Sequence, residues 1–240
     1  DYQPGHAHCD LLSYELSLDG HRVVVDTGVS GYEPGLERQY ERSTAAHNTL
    51  RIDGEEQAEI WASFRVGRRP KVSSIETGQV NGFRFVRGSH QGYRRLGVIH
   101  ARQIILCPGN CWVVVDSLRG RGIHRMESFV HFHPAVEVET CQDFNESASS
   151  GLRNRFVLHS AGHRYFLLTS NKGSVTLRDA WYSPEFGRRE KQVVCYWTRQ
   201  GALPVRMVYM FVPTDRRIPS VFQDADRESI EIDNVRIPLS

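Results

Sequence analysis

The chain has 240 residues and a mass of 27.4 kDa, enough for one large domain with its own core. With 40% hydrophobic and 24% charged residues, its composition excludes a disordered, collagen-like or coiled-coil protein. A net charge of +2 gives no reason to expect a nucleic-acid partner, and no apolar stretch reaches the roughly 20 residues of a membrane span.

Apolar and polar residues alternate with a period of two along nearly the whole chain, whereas helical periodicity is almost absent. Residues 12–18 form the first alternating strand, Asp19-Gly20 turns the chain, and residues 21–26 return as a Val-rich strand. Asp-Gly and Asn-Gly pairs favour two-residue hairpin turns, because those turns require positive φ. Pairing about this turn would place Asp26 opposite about residue 13.

Further turn signals divide the rest of the chain into short strands. They stand at Asp53-Gly54, Asn81-Gly82, Pro108-Gly109-Asn110, Ala161-Gly162-His163, Gln200-Gly201-Ala202 and Asp233-Asn234. Many antiparallel strands with short connections predict an all-β fold, a large antiparallel two-sheet β-sandwich with essentially no helix. The polar stretch 142–150 is expected to be an internal loop, so that residues 1–240 form one domain. Five cysteines without CxxC spacing argue against a disulfide framework.

Histidine and aspartate residues are concentrated in the first 50 positions. In an extended segment, residues two apart share a face, so His6, His8 and Asp10 are expected to project together. The first hairpin brings Asp26 towards that segment, and a return of the chain near His47 would complete a His/Asp/His set. Such a set suits Zn²⁺. The same residues are equally compatible with ordinary strand and turn positions, and Asp10 is an alternative ligand or a partner of a ligating imidazole.

Six short motifs follow one another along the chain. They are Gly5-His6-x-His8-x-Asp10, Val25-Asp26-x-Gly28, Tyr40-x-Arg42-Ser43-Thr44-x-x-His47-Asn48-Thr49, Gly88-Ser89-His90-x-Gly92-Tyr93, Phe132-His133-Pro134 and Tyr182-Ser183-Pro184-x-Phe186-Gly187. In this order they resemble the heparinase II/III-like domain of polysaccharide lyases, whose members act on heparin, heparan sulfate and alginate. One motif would be weak evidence, but the ordered combination spans most of the chain.

The resemblance implies a two-domain enzyme in which an N-terminal α/α toroid packs against a C-terminal β-sandwich. An acidic polysaccharide would lie in the cleft between the two domains. Residues 1–240 correspond to the β-sandwich only, and the toroid, which carries an Asn or His and a Tyr that act on the sugar, is absent. We therefore expect a lyase in the full-length protein and little activity in this chain by itself.

The resemblance also implies roles for individual side chains. His6 matches the catalytic histidine, and His8, Asp26 and His47 match the ligands of one structural Zn²⁺. The reaction is a β-elimination that removes the C5 proton of a uronic acid and expels the 4-linked sugar. It needs a base, an acid and a means of neutralising the uronate carboxylate.

A tyrosine of the β-domain is also implied as acid or base, since a phenol can lose a proton and return it. Tyr32 is the better match by its spacing before His47, and Tyr40 is the runner-up. Arg42 is equally compatible with a structural role and with a contact to the uronate.

Two other functions use similar residues. A lyase-like fold can serve as a non-catalytic module that binds a polysaccharide or helps to assemble a surface polysaccharide. A cupin-like metal oxygenase also places two histidines and a carboxylate on a β scaffold. A lyase that digests imported polymer would be periplasmic or secreted, whereas one linked to capsule synthesis would be cytoplasmic.

Outside the main motifs, several residues have two readings. His90 with Tyr93 would line the cleft or be buried in the strands, and Trp61, which stands in an apolar pattern, would pack there or stack on sugar. The basic residues around 65–69 would hold an anionic glycan or end a solvated strand.

Overall fold

The structure is a computed structural model that describes residues 4–73, 75–141, 152–170, 172–223 and 228–239. The predicted loop at 142–150 lies outside these residues. The strands are β1 (Leu16–Leu18), β2 (His21–Val24), β3 (Leu50–Ile52), β4 (Ile60–Ala62), β5 (Arg65–Val66), β6 (Glu76–Val80), β7 (Phe83–His90), β8 (Ile99–Cys107), β9 (Cys111–Arg119), β10 (Ile123–His131), β11 (Glu137–Thr140), β12 (Leu152–Ser160), β13 (His163–Ser170), β14 (Ser174–Tyr182), β15 (Glu190–Ala202), β16 (Val205–Pro213), β17 (Val221–Gln223), β18 (Ser229–Ile232) and β19 (Val235–Pro238). None of the helices in the described residues is long and apolar enough to cross a membrane.

Two large antiparallel sheets dominate the fold. One has eight strands in the order β11-β12-β13-β16-β9-β8-β7-β6, and the other has four in the order β14-β15-β10-β3. Met126 and Trp197 of the four-stranded sheet share a buried cluster with Leu167, Tyr209 and Phe211 of the eight-stranded sheet. The predicted all-β, two-sheet sandwich is therefore confirmed.

A third layer covers the outer face of the eight-stranded sheet. Ile230, Ile232 and Ile237 of the three-stranded sheet β17-β18-β19 join a second buried cluster with Ile105 and Val113. Strand β16 is consequently buried on both faces over 205–212, which accounts for its nearly continuous apolar sequence.

The first hairpin forms as predicted, with Asp19-Gly20 at positive φ values of 48° and 82°. A bulge between Leu16 and Ser17 shifts the register by one residue. Continuing that register places Asp26 opposite Tyr14, one residue from the predicted position. Since a bulge adds one residue to one strand only, the turn sequence alone does not reveal it.

Two connections differ from the simple hairpin pattern. Residues 200–202 belong to β15, the turn falls at Leu203-Pro204, and the chain passes from the four-stranded to the eight-stranded sheet. Asp53-Gly54 closes only a tight turn, because β3 pairs with β10 instead of with the strand that follows. Short turns look alike in sequence whether the next strand stays in the sheet or leaves it.

The α-helix α1 (Leu36–Arg42) lies in the segment between Asp26 and His47, although the sequence predicted essentially no helix. Its buried residues are Arg38, Glu41 and Arg42. Because its inner face is charged, the helix lacks the apolar periodicity by which amphipathic helices are recognised.

Candidate active and metal site

The segment before β1 is attached to the body of the domain by hydrogen bonds. The Cys9 N–H donates to the Arg42 carbonyl oxygen at 3.0 Å, and the Leu11 N–H donates to Gln57 Oε1 at 2.8 Å. Gln57 is completely buried, so its side chain anchors the segment from inside the protein. No motif or spacing in the sequence singles out this glutamine.

His6, His8 and Asp10 line a single cavity of about 620 Å³, and so do Ala7 and Leu11. Because Pro4–His6 is a 3-10 turn, the segment is not the extended strand that the expected alternation assumed. Arg69, Pro70 and Lys71 line the same cavity.

Arg42 fixes the backbone between the two histidines. It is fully buried, and its Nε and Nη2 donate to the carbonyl oxygen of Ala7 at 3.1 and 2.8 Å. Its Nη1 donates to the carbonyl of Ala62. Of the two roles left open by the sequence, the structure therefore supports the structural one.

Asn48 fixes the loop that follows α1. Its Nδ2 donates to the carbonyl oxygens of Tyr14 and Val25, both at 2.9 Å, and its Oδ1 accepts from the His131 N–H at 2.7 Å. The neighbouring His47 is thereby held against the start of the first hairpin.

The motif around Gly28 is explained by a close approach of two loops. The Ser183 N–H donates to the Thr27 carbonyl oxygen at 2.7 Å, and Gly28 pairs with Ser183 in an isolated parallel bridge. Gly28 has φ of +76°, and a Cβ there would clash with the Ser183 carbonyl oxygen. The two motifs, far apart in sequence, therefore meet beside Asp26.

His47 and Asp26 form the closest pair of the predicted metal set. His47 is 1% exposed, and its Nδ1 lies 2.6 Å from Asp26 Oδ2. Burial acts to raise the pKa of Asp26, but the bonds to His47 and to the Gly28 N–H outweigh it and lower the pKa. Asp26 is therefore a carboxylate that orients the imidazole. His47 Nε2 is buried and has no hydrogen-bond partner among the described residues.

His8 lies next to His47, with ring centroids 5.3 Å apart. Burial, followed by the nearby His47 and Arg38, lowers the pKa of His8 to about 3, so the ring is neutral near pH 7. Neutral imidazole is the form that binds metals. Arg38 Nη1 stands 3.4 Å from His8 Nε2.

The residue types at this position fit a zinc site, but they are not gathered around one point. In the described part of the chain, no group of three or more His, Cys, Asp or Glu side chains is arranged to hold a metal. The unpartnered His47 Nε2 and the carboxylate on its Nδ1 are nevertheless the arrangement of a metal-binding histidine with its outer partner. Zn²⁺ at His8, Asp26 and His47 stays a prediction.

His6 lies among exposed aromatic rings. Its ring centroid is 5.4 Å from that of Tyr32 and 6.1 Å from that of Phe64. Tyr32 is 38% exposed and also contacts Phe186, with the centroids 5.1 Å apart. The Arg38 guanidinium lies over the Tyr32 ring, with Cζ 5.1 Å from the centroid.

Tyr40, the runner-up, lies elsewhere. It lines a separate cavity of about 440 Å³ with Trp181 and Tyr196. Burial raises the pKa of Tyr40, which keeps its phenol protonated. Of the two tyrosines, only Tyr32 is next to His6 in the structure.

His90 does not line the cleft, because it belongs to a fully buried polar chain. His90 Nε2 lies 2.9 Å from His100 Nδ1, and His100 Nε2 lies 2.7 Å from Asp116 Oδ1. Arg102 binds both Asp116 oxygens and donates to the carbonyl of Asn48. This network therefore connects the eight-stranded sheet to the loop of His47.

Arg38 is the main site residue that the sequence analysis missed. It is 2% exposed and lies between His8 and Tyr32, so it touches both halves of the predicted site. The signal was the i, i+4 spacing of Arg38 and Arg42 in LERQYER, which places both on one helix face. Trp61, by contrast, is 65% exposed beside a different cavity.

Fold and site together describe a β-sandwich domain with a cavity lined by His6 and His8, beside which Tyr32 contacts His6. The chain belongs to the heparinase II/III-like, C-terminal family, whose model matches residues 1–219. The resemblance read from the motifs is thus confirmed.

Solved structures with the same fold include three lyase chains. Heparan sulfate lyase HepC from Pedobacter heparinus is 17% identical, with a TM-score of 0.71 over 98% of this chain and 37% of that chain. A heparinase III gene product is 14% identical, with a TM-score of 0.68 over 98% of this chain and 36% of that chain. Another heparinase III is 16% identical, with a TM-score of 0.63 over 97% of this chain and 35% of that chain.

The chain thus spans little more than a third of the length of these solved chains. None of the curated proteins matches it.

Proposed function

We propose that the chain is the β-domain of a polysaccharide lyase that cleaves a uronic-acid-containing polysaccharide by β-elimination. The observation that carries the proposal is the contact between His6 and Tyr32, 5.4 Å apart by ring centroids, at the rim of an open cavity. Membership of the heparinase II/III-like family supports the same reaction class.

In the proposed mechanism, His6 and Tyr32 supply the two proton-transfer groups. One takes the C5 proton of the uronic acid, and the other protonates the oxygen of the departing sugar. His6 lines the cavity and Tyr32 is exposed beside it, which would let both reach a polymer that lies there. Arg38 keeps the Tyr32 ring in place through its stacked guanidinium.

Zn²⁺ is proposed to bind at the set His8, Asp26 and His47, with the two imidazoles as direct ligands and Asp26 as the outer partner of His47. When bound, it would cross-link the first segment to the loop of His47. The buried, unpartnered His47 Nε2 supports this role. Asp26 would act through His47 Nδ1, where its carboxylate already accepts a hydrogen bond.

The remaining groups of the reaction are proposed to come from an N-terminal α/α toroid of the full-length protein. This chain covers only 37% of HepC, which leaves room for such a domain in proteins of this architecture. An acidic polysaccharide would lie between the two domains. Periplasmic or secreted location stays a prediction.

The test is elimination activity on a panel of uronic-acid polymers, followed by ultraviolet absorbance of the unsaturated product. It uses a protein in which this domain is joined to its toroid. We expect His6→Ala and Tyr32→Phe to slow turnover at least about 100-fold, the usual contribution of a proton-transfer group. His21→Ala, which removes an exposed histidine of β2, is the matched control.

Full activity in His6→Ala would show that this histidine is not catalytic. Saccharide binding without unsaturated product from any polymer would instead identify a non-catalytic binding module.

A further inference from the structure

The cavity beside His6 has a second wall that the catalytic proposal does not use. It is formed by the segment Arg69-Pro70-Lys71, which lines the same cavity as His6, His8 and Asp10. Arg69 and Lys71 are both exposed.

The wall is held in position along its backbone. The Gln91 N–H donates to the Lys71 carbonyl oxygen at 3.3 Å, and the Ser73 N–H donates to the Ser89 carbonyl oxygen at 2.7 Å. Val72 also forms an isolated bridge with the end of β7. The segment that carries Lys71 is therefore an added edge of the eight-stranded sheet rather than a free loop.

Neighbouring charges are paired away from the cavity. Arg68 points inward, where its Nη1 donates to the carbonyl oxygens of Gln57 and Gly92 at 3.3 and 2.9 Å. Glu59 is engaged by Arg68 and by Arg95. Because the neighbours along an extended segment point to opposite sides, Arg68 faces inward while Arg69 and Lys71 face the cavity.

Among the described residues that line the cavity, Arg69 and Lys71 are basic and Asp10 is acidic. Within the described ranges, Lys71 has no carboxylate partner at ion-pair distance. An ammonium without such a partner, on a fixed backbone in the cavity that His6 also lines, is available for a ligand anion.

We propose that the 69–71 wall is the anion-binding side of the cavity and that Lys71 selects saccharides carrying a carboxylate or sulfate. The inference rests on the proposed function, because it assigns a substrate contact to the same cavity. Lys71 would bind the anionic group while the sugar ring lies between this wall and His6.

Binding of tetrasaccharides to the full 240-residue chain, measured by calorimetry, tests the proposal. The ligands are a sulfated uronate tetrasaccharide, its desulfated form, its carboxyl-reduced form and a form lacking both charges. Lys71→Gln is compared with Lys191→Gln, which makes the same charge change at an exposed position on β15.

We expect Lys71→Gln to weaken binding of the charged ligands roughly fivefold, as for one exposed ion pair at the upper end of its range. The affinity of Lys71→Gln for the charged ligands should also depend less on salt concentration than that of the unmodified chain. Binding of the uncharged form should not change, and Lys191→Gln should behave like the unmodified chain. Comparison of the desulfated and carboxyl-reduced ligands identifies which anion Lys71 contacts.

An equal loss for charged and uncharged ligands, no loss, or no binding by the unmodified chain would overturn the proposal. The outcome is separable from that of the lyase proposal. If His6→Ala abolishes elimination while Lys71→Gln leaves binding unchanged, only the proposal that Lys71 binds the anion is wrong. If binding depends on Lys71 but no unsaturated product forms, only the proposed lyase activity is wrong.

Discussion

Arg42 donates two hydrogen bonds, at 3.1 and 2.8 Å, to the one carbonyl oxygen of Ala7. Ala7 separates His6 from His8, so a single buried guanidinium sets the position of the proposed catalytic and metal-binding histidines together. Through these two bonds, the buried charge of Arg42 determines where His6 and His8 lie in the cavity.

Replacing Arg42 should therefore destabilise the domain. In Arg42→Met the Ala7 and Ala62 carbonyls lose their buried donors, and we expect the free energy of unfolding to fall by about 3 kcal/mol. Urea denaturation measures the change. Arg84→Met, on an exposed position of β7, should stay within about 0.5 kcal/mol. Equal stabilities of the two variants would contradict the anchoring role.

Gly28→Ala should cost more than its positive φ alone explains. Gly20 has a similar φ, +82° against +76°, but a Cβ there meets nothing within 4 Å, so Gly20→Ala is the matched control. We expect about 1 kcal/mol for Gly20→Ala and clearly more for Gly28→Ala, because the Ser183 loop must move. Equal losses in urea denaturation would show that the loop contact is unimportant.

Acidification should unfold the domain partly through buried His131. Burial, and then the nearby His47, lowers the pKa of His131 to about 4. In the unfolded chain this imidazole takes up a proton near pH 6.5, so its contribution to stability is complete above that pH. The contribution is lost as the pH falls from 6.5 towards 4.

The measurement is the free energy of unfolding at several pH values. His131→Gln should reduce its slope against pH in this window by up to about 1.4 kcal/mol per pH unit, the equivalent of one proton. His21→Gln, at an exposed position, should leave the slope as it is. An unaltered slope in His131→Gln would rule out this histidine as a source of acid sensitivity.

Zinc should bind with a stoichiometry of one and raise the thermal midpoint of the chain. We expect His8→Ala and His47→Ala to abolish both effects, whereas His133→Ala, at a half-buried histidine outside the site, should keep them. Asp26→Asn should weaken zinc binding about 10- to 100-fold, as for an outer partner of a ligating imidazole. Unchanged zinc content in His47→Ala, measured by mass spectrometry, would exclude the site.

The sequence was most informative where one local signal decides the structure. Asp19-Gly20 and Asn81-Gly82 require positive φ, and both turns form as predicted. It was least informative where the outcome depends on distant parts of the chain. The bulge before Ser17 and the passage from β15 to β16 are set by how sheets pack, which no local pattern records.

The site shows the same division. Alternation predicted that His6, His8 and Asp10 project together, and all three line one cavity, but Ala7 and Leu11 line it as well. It did not reveal Arg38, because the inner face of α1 is charged and apolar periodicity is the usual sign of a buried helix face. Gln57 also escaped notice, since a lone glutamine acquires its role only from the backbone that folds against it.

The β17–β19 layer has a practical consequence for anyone who expresses this domain. The family match ends at residue 219, whereas the strands that cover the second apolar cluster run from Val221 to Pro238. A recombinant product trimmed to the match would leave Ile105 and Val113 facing water. Such a product should precipitate or self-associate, even though every residue of the cavity would still be present.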